Sequence, residues 1–213
     1  MINLILKDLR LTKKIIVLGL IYAVFVVGMT KMISIEIGNI AYCFLIICMI
    51  YLSVLYADGY DETNKGFLML ASLPVKRSML VWAKYLSLGL YFLIYSVFPT
   101  LLMAAVSAFS QGGFKTYSPW SMGVAFIIAG ILYSIYYPIY YKFGYNALRV
   151  YKIIVFVFII LLPKLVEWSV KHSYLPIVLN MKTFIVFMIA AVFILLLCSC
   201  RISGFIYEKK ELI

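Results

Sequence analysis

Histidine is almost missing from this chain: His172 is the only one in 213 residues, and only eight residues are acidic. Proton shuttling and metal-assisted hydrolysis rely on such groups, and neither H-E-x-x-H nor G-x-S-x-G occurs. A lone histidine beside a loop reads as a surface residue. The chain is not read as an enzyme, and no metal ligands are assigned. A phosphate-binding loop is also lacking. Gln111-Gly112-Gly113-Phe114-Lys115-Thr116 comes nearest, but it lacks the first glycine, and Phe114 stands where the second should precede the lysine. Cys43, Cys48, Cys198 and Cys200 all fall in apolar stretches, where cysteine behaves as a small apolar residue. Cys198-x-Cys200 has no second pair with which to hold zinc.

Charge is scarce too. Charged residues make up 13% of the chain and hydrophobic residues 66%, with a mean hydropathy of +1.08. Soluble domains are about 25% charged, so the sequence predicts an all-α integral membrane protein. A crossing helix needs roughly 17 to 25 apolar residues. Six stretches are candidates: 15–33, 40–57, 85–110, 120–141, 153–162 with an extension, and 183–200. Of the 19 Lys and Arg residues, 14 lie in the connections 1–14, 58–84, 142–152 and 201–213; Lys31, Lys115, Lys164, Lys171 and Lys182 lie on the other side. Positive residues stay on the cytoplasmic side, which predicts both termini there. The net charge of +11 then reads as topology and contact with anionic lipid, and nucleic acid is not called for. The basic start followed by an apolar run resembles a signal peptide, but no small-x-small cleavage site follows it, and the expectation is that it stays attached.

Residues 1–14 read as an amphipathic helix lying at the interface. Asn3, Lys7, Arg10 and Lys14 share one face, with Ile2, Ile5, Leu6 and Leu9 roughly opposite. Asp58, Asp61 and Glu62 follow the second span and read as a solvated acidic cluster. The longest polar connection comes next. Thr63 or Asn64 caps a short helix from Lys65 or Gly66 to Ser72, and Leu73-Pro74 ends it. Phe67, Leu68, Met69 and Leu70 leave that helix almost no polar face, so it must be buried in lipid interface or in protein. Its composition suits insertion into a groove on a partner.

The third and fourth spans contain Pro99 and Pro138, which membrane helices tolerate where neighbours satisfy the freed carbonyls. Tyr140 and Tyr141 suit an interfacial belt. Tyr133 and Tyr137 on the fourth span, with Tyr91 and Tyr95 on the third, are candidate pathway residues, and packing between helices is their more ordinary role. The basic connection 142–152, with Arg149, is a second candidate contact on the cytoplasmic side. Pro163, Lys164 and Glu167 come early for a fifth crossing. They predict a shortened span followed by an interfacial or re-entrant element at the outer surface. The centres of spans one to four and six carry no charge, so an ion-coupled pump is not indicated, and energy must come from outside the chain.

Several stretches carry a family resemblance. These are Lys7-Asp8 with Lys13-Lys14, Leu73-Pro74-Val75-Lys76-Arg77-Ser78 through Ala83-Lys84-Tyr85, Phe143-Gly144-Tyr145-Asn146 with Arg149, and Ser203-Gly204-Phe205-Ile206-Tyr207-Glu208-Lys209-Lys210-Glu211. In them the chain resembles the membrane subunits of ABC exporters of the type-2 permease class. It is particularly similar to the small permeases that export phenol-soluble modulins and antimicrobial peptides in Gram-positive bacteria. The resemblance implies a plasma-membrane permease of six transmembrane helices with an N-terminal elbow helix. It would pair with a second permease copy or paralogue and bind two separate ATPase subunits, which would hold ATP and magnesium; no cofactor is expected on this chain. Carried over by position, the coupling helix would be 66–73, with Gly66, Phe67, Leu70 and Leu73, and Pro74 and Arg77 would fix the turn after it. Arg149 would serve the second contact, Lys7, Arg10 and Lys14 the elbow, and Pro163, Lys164 and Glu167 the outer gate.

The implied activity is export of hydrophobic or amphipathic substrates, such as cytolytic peptides or bacteriocins. Two alternatives stay open: a resistance or immunity permease for drugs or antimicrobial peptides, and a non-transporting membrane anchor or sensor.

Overall fold

A computed structural model describes residues 2–32, 35–64, 77–109, 116–171 and 181–209 of the chain. Among them lie seven helices: α1 (Ile2–Leu11), α2 (Lys13–Met32), α3 (Ile35–Thr63), α4 (Arg77–Ala108), α5 (Pro119–Phe143), α6 (Arg149–Lys171) and α7 (Met181–Lys209). Five stretches are long and apolar enough to cross a membrane: Lys13–Thr30, Ile37–Thr63, Arg77–Ala108, Pro119–Phe143 and Ile185–Lys209. They coincide with expected spans one to four and six. The helices run several residues past the apolar runs, because backbone groups near lipid are satisfied most completely within a helix.

The helix that carries the expected fifth span continues past it, and α6 is not one of the five stretches above. α6 is helical from Arg149 through Pro163 to Lys171, about 35 Å at 1.5 Å per residue. Pro163 removes one donor, which a helix in a membrane bundle tolerates where neighbours satisfy the freed carbonyl. Residues 172–180, where the outer re-entrant element was expected, lie outside the described residues.

Side-chain bonds show that the ends of the helices alternate. The end rich in Lys and Arg gathers α1, the last turns of α3, α5 and α7, and the first turns of α4 and α6. Lys7 reaches Asp61, Tyr51 donates to the Lys152 carbonyl at 2.7 Å, and Arg77 reaches the Tyr207 and Glu208 carbonyls at 3.5 and 3.4 Å. At the opposite end Tyr42 stacks on Tyr117 with ring centroids 4.5 Å apart. There Asn39 accepts from the Ser118 N–H at 3.0 Å, and the Ser118 hydroxyl caps α5, with Pro119 in its first turn.

α5 and α7 pack closely through glycine. A Cβ on Gly123 would press Ile185 and Ile189 at 3.2 Å, and one on Gly130, seven residues on, would collide with Val192. Pro138 cannot donate to the Ser134 carbonyl four residues back, and the Ser199 hydroxyl of α7 donates to it at 2.7 Å instead. Gly144 ends α5 at φ 85, with its N–H on the Tyr140 carbonyl; that positive φ favours glycine.

Candidate functional site

Lys84 lies one residue past two turns into α4, with apolar Val81, Trp82 and Ala83 before it and Tyr85 and Leu86 after it. An ammonium in such surroundings requires counter-charges, and three elements provide them. Its Nζ donates to Asp58 Oδ1 at 2.9 Å and to Asp61 Oδ2 at 2.8 Å, and Asp8 Oδ1 of α1 lies 3.7 Å away. Lys7 closes the group, 2.8 Å from Asp61 Oδ1 and 3.4 Å from Asp8 Oδ1. Asp58 and Asp61, three residues apart at the end of α3, therefore share one face. The reading of Asp58, Asp61 and Glu62 as a solvated cluster is corrected. Asp58 is 1% exposed and Asp61 6%, and only Glu62 remains at the surface.

Hydroxyl groups complete the network. Tyr136 of α5 donates to Asp58 Oδ2 at 3.0 Å, and Ser87 donates to Asp8 Oδ2 at 3.3 Å. Thr12, just past α1, lies 2.9 Å from the Asp8 carbonyl and 3.1 Å from the Tyr91 hydroxyl. Three carboxylates face two ammonium groups, leaving one formal negative charge. Asp8 Oδ1 is buried without a hydrogen bond, beside a cavity of about 30 Å³ lined by Lys7, Asp8, Asp61, Lys84 and Tyr140 among others. That volume suits about one water molecule. Removing one partner from a buried pair strands a charge, so α1, α3, α4 and α5 are held together at this end.

The other predicted residues fall around this core. Arg77 begins α4 and is joined to the end of α7; besides its two carbonyl bonds, it lies 5.9 Å from the Tyr207 ring centroid. Arg10, Lys14 and Arg149 are exposed. Lys7 is half-buried and reaches Asp61, while Ile2 and Leu6, on the apolar face of α1, are exposed. Tyr91, Tyr95, Tyr133 and Tyr137 are buried among the helices. The Tyr95 hydroxyl is 2.7 Å from that of Ser53, whereas the Tyr133 hydroxyl has no hydrogen bond. Gly66, Phe67, Leu70, Leu73 and Pro74 lie outside the described residues. Pro163, Lys164 and Glu167 stand on the α6 backbone.

In the turn between α5 and α6, Tyr145 packs its hydroxyl against Gly59, where a Cβ would meet it at 2.8 Å. Lys152 donates to the Tyr145 carbonyl at 3.0 Å. Burial, and then the nearby Asp58 and Glu62, raise the Tyr145 phenol above its ordinary 10.0. Lys142, Phe143, Asn146 and Arg149 face outward around this turn.

Asp8, Asp58, Asp61, Lys84 and Tyr136 were not singled out as site residues. The available signal was Lys84 itself, a cation within an apolar run that requires a partner.

The family model for ABC-2 family transporter proteins matches residues 3–208, nearly the whole chain. The chain belongs to the ABC-2 transporter family. As an ABC-2 family protein it is a multi-pass transmembrane subunit of an ABC transporter, the component that works with an ABC ATPase. No curated protein and no solved structure matches it.

Proposed function

We propose that this ABC-2 permease is the membrane half of an ATP-driven exporter of hydrophobic or amphipathic substrates, peptides among them. In this reading it pairs with a second copy or a paralogue and takes its energy from two separate ATPase subunits. The supporting observation is the Lys84 network. The connection that holds the expected coupling helix leaves α3 just after Asp58 and Asp61 and enters α4 at Arg77, two turns before Lys84. A push on that connection would act on both helices at once. The buried ion pairs would make them move as a unit with α1, while Arg77 would carry the motion to α7. The outward-facing residues from Lys142 to Arg149 offer a second contact for an ATPase.

Tyr91, Tyr95, Tyr133 and Tyr137 would line a pathway only when the helices around them part, with aromatic faces offering apolar surface and a polar tip. Lys164 and Glu167 remain the proposed outer gate.

The test is the double variant Phe67→Ala with Leu70→Ala. Each large apolar side chain contributes roughly 1.5–3 kcal/mol when fully buried. The expected outcome is normal membrane insertion with reduced co-purification of an ATPase subunit, or hydrolysis without transport. A double variant that binds its ATPase and exports normally would move the coupling role to the connection between α5 and α6.

A further inference from the structure

A second cavity, unrelated to the charged cluster, opens on the side of the bundle. It encloses about 270 Å³ between α4, α5 and α7, and its lining includes Trp82, Leu86, Gly89, Phe126, Phe193 and Leu197. Leu86, Phe193 and Leu197 are 45%, 57% and 41% exposed, so in a membrane-crossing bundle the mouth faces hydrocarbon. Gly89 lines this space, and a Cβ there would meet nothing within 4 Å. Along the helices the cavity runs from near the basic end toward the middle, from Trp82 to Phe92 on α4 and from Cys200 back to Phe193 on α7.

Its chemistry limits what can enter. The Tyr85 hydroxyl is already engaged, 2.6 Å from Ser199 and 3.1 Å from Ser203, and Ser199 also serves the Ser134 carbonyl. A peptide segment would bring backbone N–H and C=O groups into a lining that offers them few partners, at a cost in desolvation. A helix about 10–12 Å across would not fit, and the volume lies below the roughly 300 Å³ at which pockets for drug-sized ligands begin. A hydrocarbon chain carries no polar groups to satisfy, and only part of its length need lie inside, the rest continuing through the open mouth into the bilayer.

Charge at the mouth supplies the second element. Phe193, Leu197 and Arg201 follow one another at four-residue spacing on α7, which places Arg201 on the stripe of the mouth, about 6 Å beyond Leu197 toward the basic end. Arg201 is exposed and makes no ion pair among the described residues. We propose that this cavity holds one acyl chain of an anionic phospholipid whose headgroup phosphate is bound by Arg201. A guanidinium forms paired hydrogen bonds to phosphate, and cationic clefts between membrane helices are suited to such headgroups.

Native mass spectrometry of the full chain, released from nanodiscs of equimolar phosphatidylglycerol and phosphatidylcholine, tests this directly. The wild type should retain phosphatidylglycerol in preference. Gly89→Phe, which places a ring in the space at the lining, should lose most of the bound lipid of either kind while keeping its helical content. Arg201→Gln changes only a surface side chain, and its preference for phosphatidylglycerol should fall about fivefold. Equal retention of the two lipids by the wild type would overturn the proposal, as would undiminished retention in a folded Gly89→Phe protein or an unchanged preference in Arg201→Gln. Replacement of the lipid by an added amphipathic peptide, abolished by Gly89→Phe, would assign the cavity to substrate and also overturn it.

Discussion

Taking the ammonium from Lys84 would leave Asp58, Asp61 and Asp8 facing one another with only Lys7 to offset them. The expected cost of Lys84→Met is about 3–5 kcal/mol, the range for breaking a buried pair from one side. Thermal unfolding in detergent should show a clear drop in midpoint, partly restored when Asp58→Asn is added. A single variant that melts with the wild type would mean that the cluster is not what holds this end. Tyr136→Phe removes one hydroxyl donor from Asp58 and should cost only about 1–3 kcal/mol. At this scale the sequence was only partly legible. Arg77, Lys7 and Arg149 were named from motifs, yet the partners of Lys7 and the burial of Asp58 and Asp61 depend on which helix ends meet, and no local pattern encodes that. Lys84 carried a signal that went unread: its apolar neighbours demand a counter-charge, yet the third span was expected to begin only after it.

Helices were far easier to read than contacts. Hydropathy placed α2, α3, α4, α5 and α7 close to their observed positions, because in lipid every long apolar segment is driven to the same backbone solution. Pro163 and the charges after it come early for a fifth crossing, and the helix itself continues through them to Lys171, since a proline in a membrane helix is tolerated where neighbours satisfy the carbonyl it frees. What the apolar runs do not reveal is which faces meet. Gly123 and Gly130 are the residues through which α5 fits against α7, yet in a span this rich in small residues nothing marks them out. Gly130→Leu should push α7 away and cost about 1–3 kcal/mol, seen as a lower melting point and faster proteolysis. Gly28→Ala, on an open face where a Cβ meets nothing, should be stabilising by about 0.5–1 kcal/mol. Equal behaviour of the two variants would remove close glycine packing as the basis of the α5–α7 contact.

For the whole molecule, the distribution of basic residues and the alternation of helix ends agree on which segments share a side. Single cysteines at positions 76 and 115, in a protein with Cys43, Cys48, Cys198 and Cys200 replaced, should react with an impermeant maleimide from opposite faces of the membrane. Reaction of both in intact cells would reject the arrangement. The bonds between Asp8, Asp61 and Lys84 also carry a consequence for biosynthesis. A ribosome delivers α1 first, α3 next and α4 last of the three. Once α3 has been made, Lys7 can find Asp61, but Asp58 has no cation until residue 84 has left the tunnel. Until then α1 lacks its contact with Lys84. Arrival of the third crossing segment supplies the cation for Asp58 and the second one for Asp61, so the cluster that ties α1 to the bundle is complete only once that segment is in place.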